Sequence, residues 1–157
     1  MPTDDRGFTL VEVMVTVALA GVLMAMAVSG WSSWARSSAQ EGAATEIQGV
    51  LRQAQQRAVS EGGATCVQFS TATDSWTVLR GGCTDTGRSV IEGPIPLDSD
   101  RVHLTSAAFS TGAGSSAGVT FSSRGTATPG TVTVGRDGSG RIWTIRVEGL
   151  TGRVTAR

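Results

Sequence analysis

The chain is poor in the residues on which most metal sites and covalent catalysts depend, with one histidine, His103, and two cysteines among 157 residues. His103 falls in a predicted strand, where a structural role is favoured over catalysis. No group of histidine, cysteine and carboxylate residues has metal-ligand spacing. Gly135, Gly138 and Gly140 predict a turn. They do not predict a phosphate-binding loop, because the helix and lysine of such a loop do not follow them. The sequence therefore predicts neither an enzyme nor a protein that holds a metal or cofactor.

The chain also lacks net charge and lysine. Its 13 basic residues, all of them arginine, balance 13 acidic residues. No global electrostatic field therefore draws the protein toward nucleic acid or acidic lipid. An affinity of that kind would have to come from a local patch.

Proline is absent between Thr3 and Gly93, and the first half of the chain has a helical pattern throughout. Residues 8–28 are almost entirely apolar and extend about 32 Å as a helix, enough to cross the ~30 Å hydrocarbon core of a bilayer. Trp31 and Trp34 follow directly, where indole rings sit among lipid headgroups. We therefore expect residues 8–28 to form a transmembrane helix.

A cleaved secretory signal is the main alternative for this apolar segment. Such a signal has a positively charged start, a shorter apolar core and a small-x-small cleavage site. Here Arg6 is the single cation that precedes the apolar run, and the run is too long for a signal core. Asp4 and Asp5 offset Arg6, so the flanking charges say little about orientation.

The helical pattern continues through residues 29–61 and becomes amphipathic. Apolar residues recur every three or four positions, as on one buried helical face: Ala43, Ala44, Ile47, Val50, Leu51, Ala54 and Ala58. The opposite face carries charged and amide side chains: Glu41, Glu46, Arg52, Gln53, Gln56 and Arg57. We expect this part to pack on β structure and to end at Gly62 and Gly63.

Residues 62–157 have the pattern of a β-rich head. Short β-prone runs separated by turns predict antiparallel sheet, at residues 65–70, 76–79, 101–105, 119–122, 131–134, 141–147 and 153–155. Asp137 and Gly138 predict a hairpin turn, and the glycine- and serine-rich residues 105–118 predict an exposed, mobile loop. The expected fold class is α+β: a long N-terminal helix, half transmembrane and half amphipathic, packed against a small antiparallel β-sheet head.

One carboxylate, Glu12, lies inside the apolar segment. An acidic residue at the centre of a membrane helix costs about 2.5 to 3.5 kcal/mol, and less near the helix end. Its presence implies a partner for the charge. A carboxylate that reaches back to the cytoplasmic interface is the alternative.

The residues around Glu12, GFTLVE from Gly7 onward, resemble the prepilin processing site of type IV pilins and type II secretion pseudopilins. The resemblance implies that prepilin peptidase cuts between Gly7 and Phe8, removes residues 1–7 as a leader, and leaves Phe8 to be N-methylated. It also implies that Glu12 pairs with the amine of a neighbouring subunit in a filament. Glu12 is thus the predicted assembly residue.

The resemblance extends to the head, where GVTFSSRG, DGSG and RIWTIRVEGLTGRV are similar to minor subunits of the GspH/FimT type. It implies a structural subunit of a type IV pilus or a type II secretion pseudopilus, and the choice between the two stays open. The implied partners are other subunits, contacted through the N-terminal helix, prepilin peptidase, the inner-membrane assembly platform and membrane lipid. The implied location is the cytoplasmic membrane, with a single span and the head outside the cytoplasm, and then the filament.

The two cysteines, Cys66 and Cys83, flank a predicted hairpin. Because the head is expected outside the cytoplasm, a disulfide between them is favoured over two buried free thiols. The hairpin register does not place the two residues directly opposite each other.

The end of the chain is locally basic. Some FimT-like subunits of transformation pili hold DNA through a C-terminal Gly-Arg-x-Arg element, and Gly152-Arg153-Val154 resembles its first part. The second arginine, Arg157, comes late. A DNA-binding minor pilin is therefore the alternative function, with Arg141, Arg146, Arg153 and Arg157 as candidate contacts to phosphates. Solvated arginines on outward strand positions are the simpler interpretation.

Overall fold

The computed structural model describes residues 9–98, 101–112 and 114–157. Along this described chain one helix, α1, precedes nine strands. Their bounds are α1 Leu10–Ser60, β1 Thr65–Ser70, β2 Ser75–Arg80, β3 Ser89–Pro96, β4 Val102–Thr111, β5 Gly114–Ser116, β6 Gly118–Phe121, β7 Gly130–Arg136, β8 Ser139–Val147 and β9 Val154–Ala156.

The chain divides into two compact units, Met1–Ser38 and Ala39–Arg157. In the first unit the described structure is helix from Leu10 onward. The second unit, called the C-terminal unit below, contains the end of α1 and all nine described strands.

The strands form two antiparallel sheets. The first, sheet A, has the order β3-β2-β1-β6, and the second, sheet B, has the order β5-β4-β7-β8-β9. The α+β prediction is confirmed, and the strands that the sequence suggested for one sheet are shared between two.

The core of the C-terminal unit lies between α1 and the two sheets. The apolar face predicted from the helical spacing is buried, with Ile47, Leu51 and Ala58 at 0% exposure and Val50 partly buried. The indole Nε1 of Trp76 on β2 donates to Glu46 Oε1 on α1 over 3.2 Å. The predicted packing of this helical face on β structure is therefore confirmed.

The predicted hairpin at Asp137 and Gly138 is present. Arg136 on β7 faces Ser139 on β8, so a two-residue turn joins the strands. Gly138 has φ +68°, the left-handed conformation that glycine adopts without steric cost.

The prediction of a mobile loop over residues 105–118 is wrong. β4 continues to Thr111 and pairs with β7, and Gly114–Ser116 forms the edge strand β5. The reason is Phe109, which is 0% exposed and stands opposite Gly130 on β7. A Cβ on Gly130 would lie 2.3 Å from the carbonyl oxygen of Ala108, so this glycine permits the close approach. Strand pairing and one buried ring thus outweigh a local composition that favours a loop.

Strand β3 was missed by the sequence analysis. Its sequence, SVIEGPIP, contains two prolines and a glycine, which disfavour a central strand. β3 lies at the edge of sheet A and pairs with β2 alone, so its prolines need no partner on the free side.

Candidate functional site

The start of α1 is fixed by Thr9. The backbone N–H of Glu12 donates to Thr9 Oγ1 over 3.3 Å, and the N–H of Val13 donates to the Thr9 carbonyl over 3.2 Å. Thr9 therefore has the position of an N-cap, and Glu12 stands three residues later, as in a capping box. The signal for this arrangement was present in the sequence as Thr-x-x-Glu. Gly7 and Phe8, the predicted processing residues, lie outside the described part of the chain.

An apolar stretch follows this cap. Leu10–Ala27 is long and apolar enough to cross a membrane by length and composition, and none of it is buried within the protein. Leu23 and Met24, for example, are 67% and 70% exposed. An uncovered apolar surface of this size marks a segment that meets lipid or other proteins.

Glu12 is the acidic residue in the first turn of α1. A carboxylate there interacts favourably with the positive end of the helix dipole. Among residues 9–98, 101–112 and 114–157, no salt bridge to the Glu12 carboxylate is found. A charged group in an exposed apolar segment is thus left available to a group outside the described chain.

Cys66 and Cys83 form a disulfide in the structure. Cys66 on β1 faces Leu79 on β2, and Cys83 lies in the turn between β2 and β3. The two cysteines are therefore not directly opposite each other, as the hairpin register predicted. The N–H of Cys83 donates to Thr120 Oγ1 over 2.9 Å. The bond therefore holds the 81–88 turn against β1 and β6.

Three of the four candidate arginines come together at the end of sheet B. Arg146 on β8 faces Thr155 on β9. Arg146, Arg153 and Arg157 line a surface depression, called the arginine depression below, together with Thr144, Glu148 and Thr155. Arg141 belongs to the opposite end of β8, where its carbonyl accepts a hydrogen bond from Gln40.

A row of glutamines that the sequence analysis missed joins α1 to sheet B and its loops. Gln40 Nε2 donates to the carbonyls of Val134 and Arg141, over 3.2 and 2.9 Å. Gln48 Nε2 donates to the Val154 carbonyl over 3.3 Å.

The third glutamine of this row is Gln55. Its Nε2 donates to the carbonyls of Gly125 and Thr151, over 2.9 and 3.0 Å. The three glutamines recur about every two turns of α1, and that spacing was the available signal. Their hydrogen bonds hold the helix to backbone carbonyl groups. The pattern of side chains in the sequence does not reveal which carbonyls these are.

An N-terminal helix that begins with an exposed apolar segment and ends packed on antiparallel sheets is the architecture of the pilin and pseudopilin class. Solved structures of that class are similar in fold to this chain. The minor pseudopilin EpsH of Vibrio cholerae matches with 18% identity and a TM-score of 0.57, over 74% of this chain and 94% of that one. The type IV minor pilin FimU of Pseudomonas aeruginosa matches with 18% identity and a TM-score of 0.56, over 79% and 92%. The solution structure of Escherichia coli GspH matches with 17% identity and a TM-score of 0.54, over 76% and 88%.

Residues 43–151 match the family described as type II transport protein GspH, and the chain belongs to that family. Residues 3–28 match the prokaryotic N-terminal methylation motif. No curated protein sequence matches the chain. The predicted family is confirmed: this is a minor pilin or pseudopilin, a structural subunit that assembles with other subunits of its class.

Proposed function

We propose that this chain is made as a precursor, is cut by prepilin peptidase between Gly7 and Phe8, and enters a pilus or pseudopilus through its N-terminal helix. Phe8 then carries the methylated amine. The helix holds the subunit in the cytoplasmic membrane with a single span, in contact with lipid and with the assembly platform, until the subunit enters the filament. The C-terminal unit lies outside the cytoplasm.

The observation that carries this proposal is the position of Glu12 in the exposed apolar stretch Leu10–Ala27. Thr9 starts α1 immediately after the proposed cleavage site, and its side chain caps the backbone N–H of Glu12. The capped start gives the carboxylate a fixed place one turn into the helix.

Cleavage supplies the partner for this carboxylate. Cutting after Gly7 creates a cationic amine on Phe8, and in a filament of parallel helices the amine of one subunit lies near Glu12 of a neighbour. In a medium of low dielectric constant, such a pair is strongly attractive, and either charge left alone costs about several kcal/mol. The pair therefore sets the axial register in which a subunit enters the filament.

The test is Glu12→Gln in the full chain, expressed with the assembly machinery of its host. We expect the variant to be cleaved normally, with a mature mass that begins at a methylated Phe8. Incorporation into sheared filaments should fall at least about tenfold, because the loss of one buried ion pair exceeds the ~1.4 kcal/mol of a tenfold change.

Thr16→Val is the matched control. Thr16 is also a polar residue of the apolar stretch, but its hydroxyl donates to the Val13 carbonyl within the helix over 2.9 Å. It should be processed and incorporated as the wild type is. Wild-type incorporation of Glu12→Gln would contradict the assembly role, and a mature wild-type chain that still begins at Met1 would contradict the processing step.

DNA reception is the alternative function, and the observation in its favour is the arginine depression. Arg146, Arg153 and Arg157 offer guanidinium groups to a polyanion, but Glu148 lies among them. Three arginines neutralise few phosphates, so the contact would be weak and sensitive to salt. None of the comparisons with known proteins supports this alternative.

A further inference from the structure

His103, the one histidine of the chain, lies on β4 with both ring nitrogens facing carboxylates. Nδ1 is 2.8 Å from Asp74 Oδ2, and Nε2 is 3.2 Å from Asp137 Oδ2. The sequence predicts a structural role for His103 but reveals neither partner. The three side chains form a bridge that the assembly function does not require.

The two carboxylates come from turns of different sheets. Asp74 belongs to the β1–β2 turn of sheet A, and Asp137 belongs to the β7–β8 turn of sheet B. His103 therefore joins the tip of one hairpin to the tip of another, across the boundary between the sheets.

Asp74 is held to neighbouring segments of the chain by further contacts. Its Oδ1 accepts the backbone N–H of Leu104 over 2.7 Å, and its carbonyl accepts the N–H of Leu97 over 2.9 Å. Asp74 has φ +46°, a left-handed conformation that a non-glycine residue keeps only where its surroundings hold it. This turn is thus fixed to the start of β4 and to the residue after β3 by contacts that do not depend on the charge of the imidazole.

The geometry of the bridge matches an imidazolium. A neutral imidazole has one N–H and one lone pair, so one of its nitrogens would face a carboxylate oxygen as acceptor against acceptor. A protonated ring donates from both nitrogens and satisfies both carboxylates. The hydrogen bond to Asp74 and then the one to Asp137 raise the pKa of His103 above its ordinary 6.5, while partial loss of solvent acts in the opposite direction.

Further charged residues of the described chain lie in the neighbouring segments. Arg101 lies two residues before His103, and its carbonyl accepts the Asp137 N–H over 3.1 Å. Arg136 on β7 is the Cα partner of Val102, and Gly135, the Cα partner of His103, has no side chain. Asp98 is exposed and follows β3. Among the described residues, Asp74 and Asp137 are the carboxylates that contact the two ring nitrogens.

We propose that His103, Asp74 and Asp137 form a proton-controlled clamp at the boundary between the two sheets. The protonated imidazole holds both carboxylates, and loss of the proton releases the side chain of Asp137 while the contact to Asp74 of sheet A remains. We call it the His103 clamp. The contact of Nδ1 is the shorter of the two, so the neutral ring keeps its proton on Nδ1 and its hydrogen bond to Asp74. Nε2 then turns a lone pair toward Asp137. The side chain of Asp137 is 73% exposed, so water can replace the ring as its partner.

The direction of the pH dependence follows from the raised pKa. A group whose pKa is higher in the folded state contributes stability that is fully present below its unfolded pKa, here near 6.5. That stability is lost as the pH rises through the folded pKa of His103. The clamp is therefore strengthened by acid. A head outside the cytoplasm would be exposed to the pH of the surroundings, so that pH would set the state of the clamp.

The first test is a proton NMR titration of the full chain in detergent micelles. The single histidine gives one imidazole ring whose Hε1 and Hδ2 resonances can be followed, so the assignment needs no comparison between sites. We expect a pKa above 6.5 in the wild type, a lower value in Asp137→Asn and the wild-type value in Asp98→Asn. The backbone amides of Asp137 and Gly138 should titrate together with the ring.

The second test compares thermal unfolding of the wild type and His103→Gln between pH 5 and pH 9. The wild-type midpoint should fall relative to that of His103→Gln as the pH passes through the measured pKa. The N-terminal amine titrates in the same range, but it is present in both proteins and cancels in the difference. Parallel midpoint curves, or a His103 pKa at or below 6.5 that Asp137→Asn leaves unchanged, would overturn the proposal.

Discussion

Phe69 on β1 stacks on Phe109 on β4, with ring centroids 6.1 Å apart and planes inclined by 15°. The pair joins sheet A to sheet B inside the core, where Phe69 is 3% exposed and Phe109 is 0% exposed. Offset aromatic pairs at this distance contribute beyond the area they bury. The ring of Phe109 is therefore a structural link between the sheets.

Phe109→Ala should lower the free energy of unfolding by about 3 to 5 kcal/mol, the range for loss of a buried aromatic ring. The measurement is urea unfolding of the full chain in detergent, followed by near-ultraviolet circular dichroism. Ile142→Ala is the control, since Ile142 is 57% exposed and its loss should change the free energy by less than about 0.5 kcal/mol. Equal effects of the two substitutions would show that residues 105–111 do not form part of the core.

Phe109 also shows why part of the fold could not be predicted. The buried face of α1 was predictable because Ile47 and Leu51 repeat with the period of the helix, and that period needs no knowledge of the partner. The β7–β8 turn was predictable because Asp137 and Gly138 carry a local preference. β4 past Thr105 depends on pairing with β7, which lies about 20 residues further along the chain, and its own sequence favours a loop.

The residues of the candidate sites also divide into those with a local sequence signal and those whose contacts are distant in sequence. Glu12 was predictable because a carboxylate in an apolar run is visible in the sequence. The Thr-x-x-Glu signal of the Thr9 cap is equally local, but no cap was predicted from it. The partners of Gln40 and His103 are distant in sequence, at separations of 94 residues to Val134 and 29 residues to Asp74. Contacts of that kind are set by the topology of the sheets.

Gln40 offers a test of the glutamine row. Its side chain is 2% exposed and donates to two backbone carbonyls. Gln40→Leu keeps most of the volume but leaves the carbonyls of Val134 and Arg141 without this donor, so the free energy of unfolding should fall by about 1 to 3 kcal/mol.

The control for this substitution is Gln53→Leu, because Gln53 is an exposed glutamine of the same helix. It should unfold at nearly the same urea concentration as the wild type. If Gln53→Leu were as destabilised as Gln40→Leu, the effect would belong to helix propensity and not to the buried hydrogen bonds.

The disulfide gives a prediction that separates the effect of the bond from the effect of the two cysteine side chains. Cys66 and Cys83 are 17 residues apart, and closing a loop of about 15 residues stabilises a protein by about 3 kcal/mol in the chain-entropy description. Reductant should therefore lower the unfolding midpoint of the wild type.

Reductant should leave the midpoint of the Cys66→Ala, Cys83→Ala double variant unchanged. Alkylation and mass measurement before and after reduction report the redox state directly. Two alkylated cysteines in the untreated, correctly exported protein would contradict the disulfide.

The arginine depression distinguishes a structural subunit from a DNA receptor. Because Arg146, Arg153 and Arg157 reach few phosphates and Glu148 opposes them, we expect the full chain in detergent to retard a DNA duplex at low salt only. The Arg153→Gln, Arg157→Gln double variant should lose this retardation. Arg80→Gln, which removes one exposed positive charge from another part of the C-terminal unit, should keep it. Retardation that persists at physiological salt and requires Arg153 and Arg157 would instead assign this surface to DNA, because the electrostatic contact of three arginines alone is weak and falls further as salt rises.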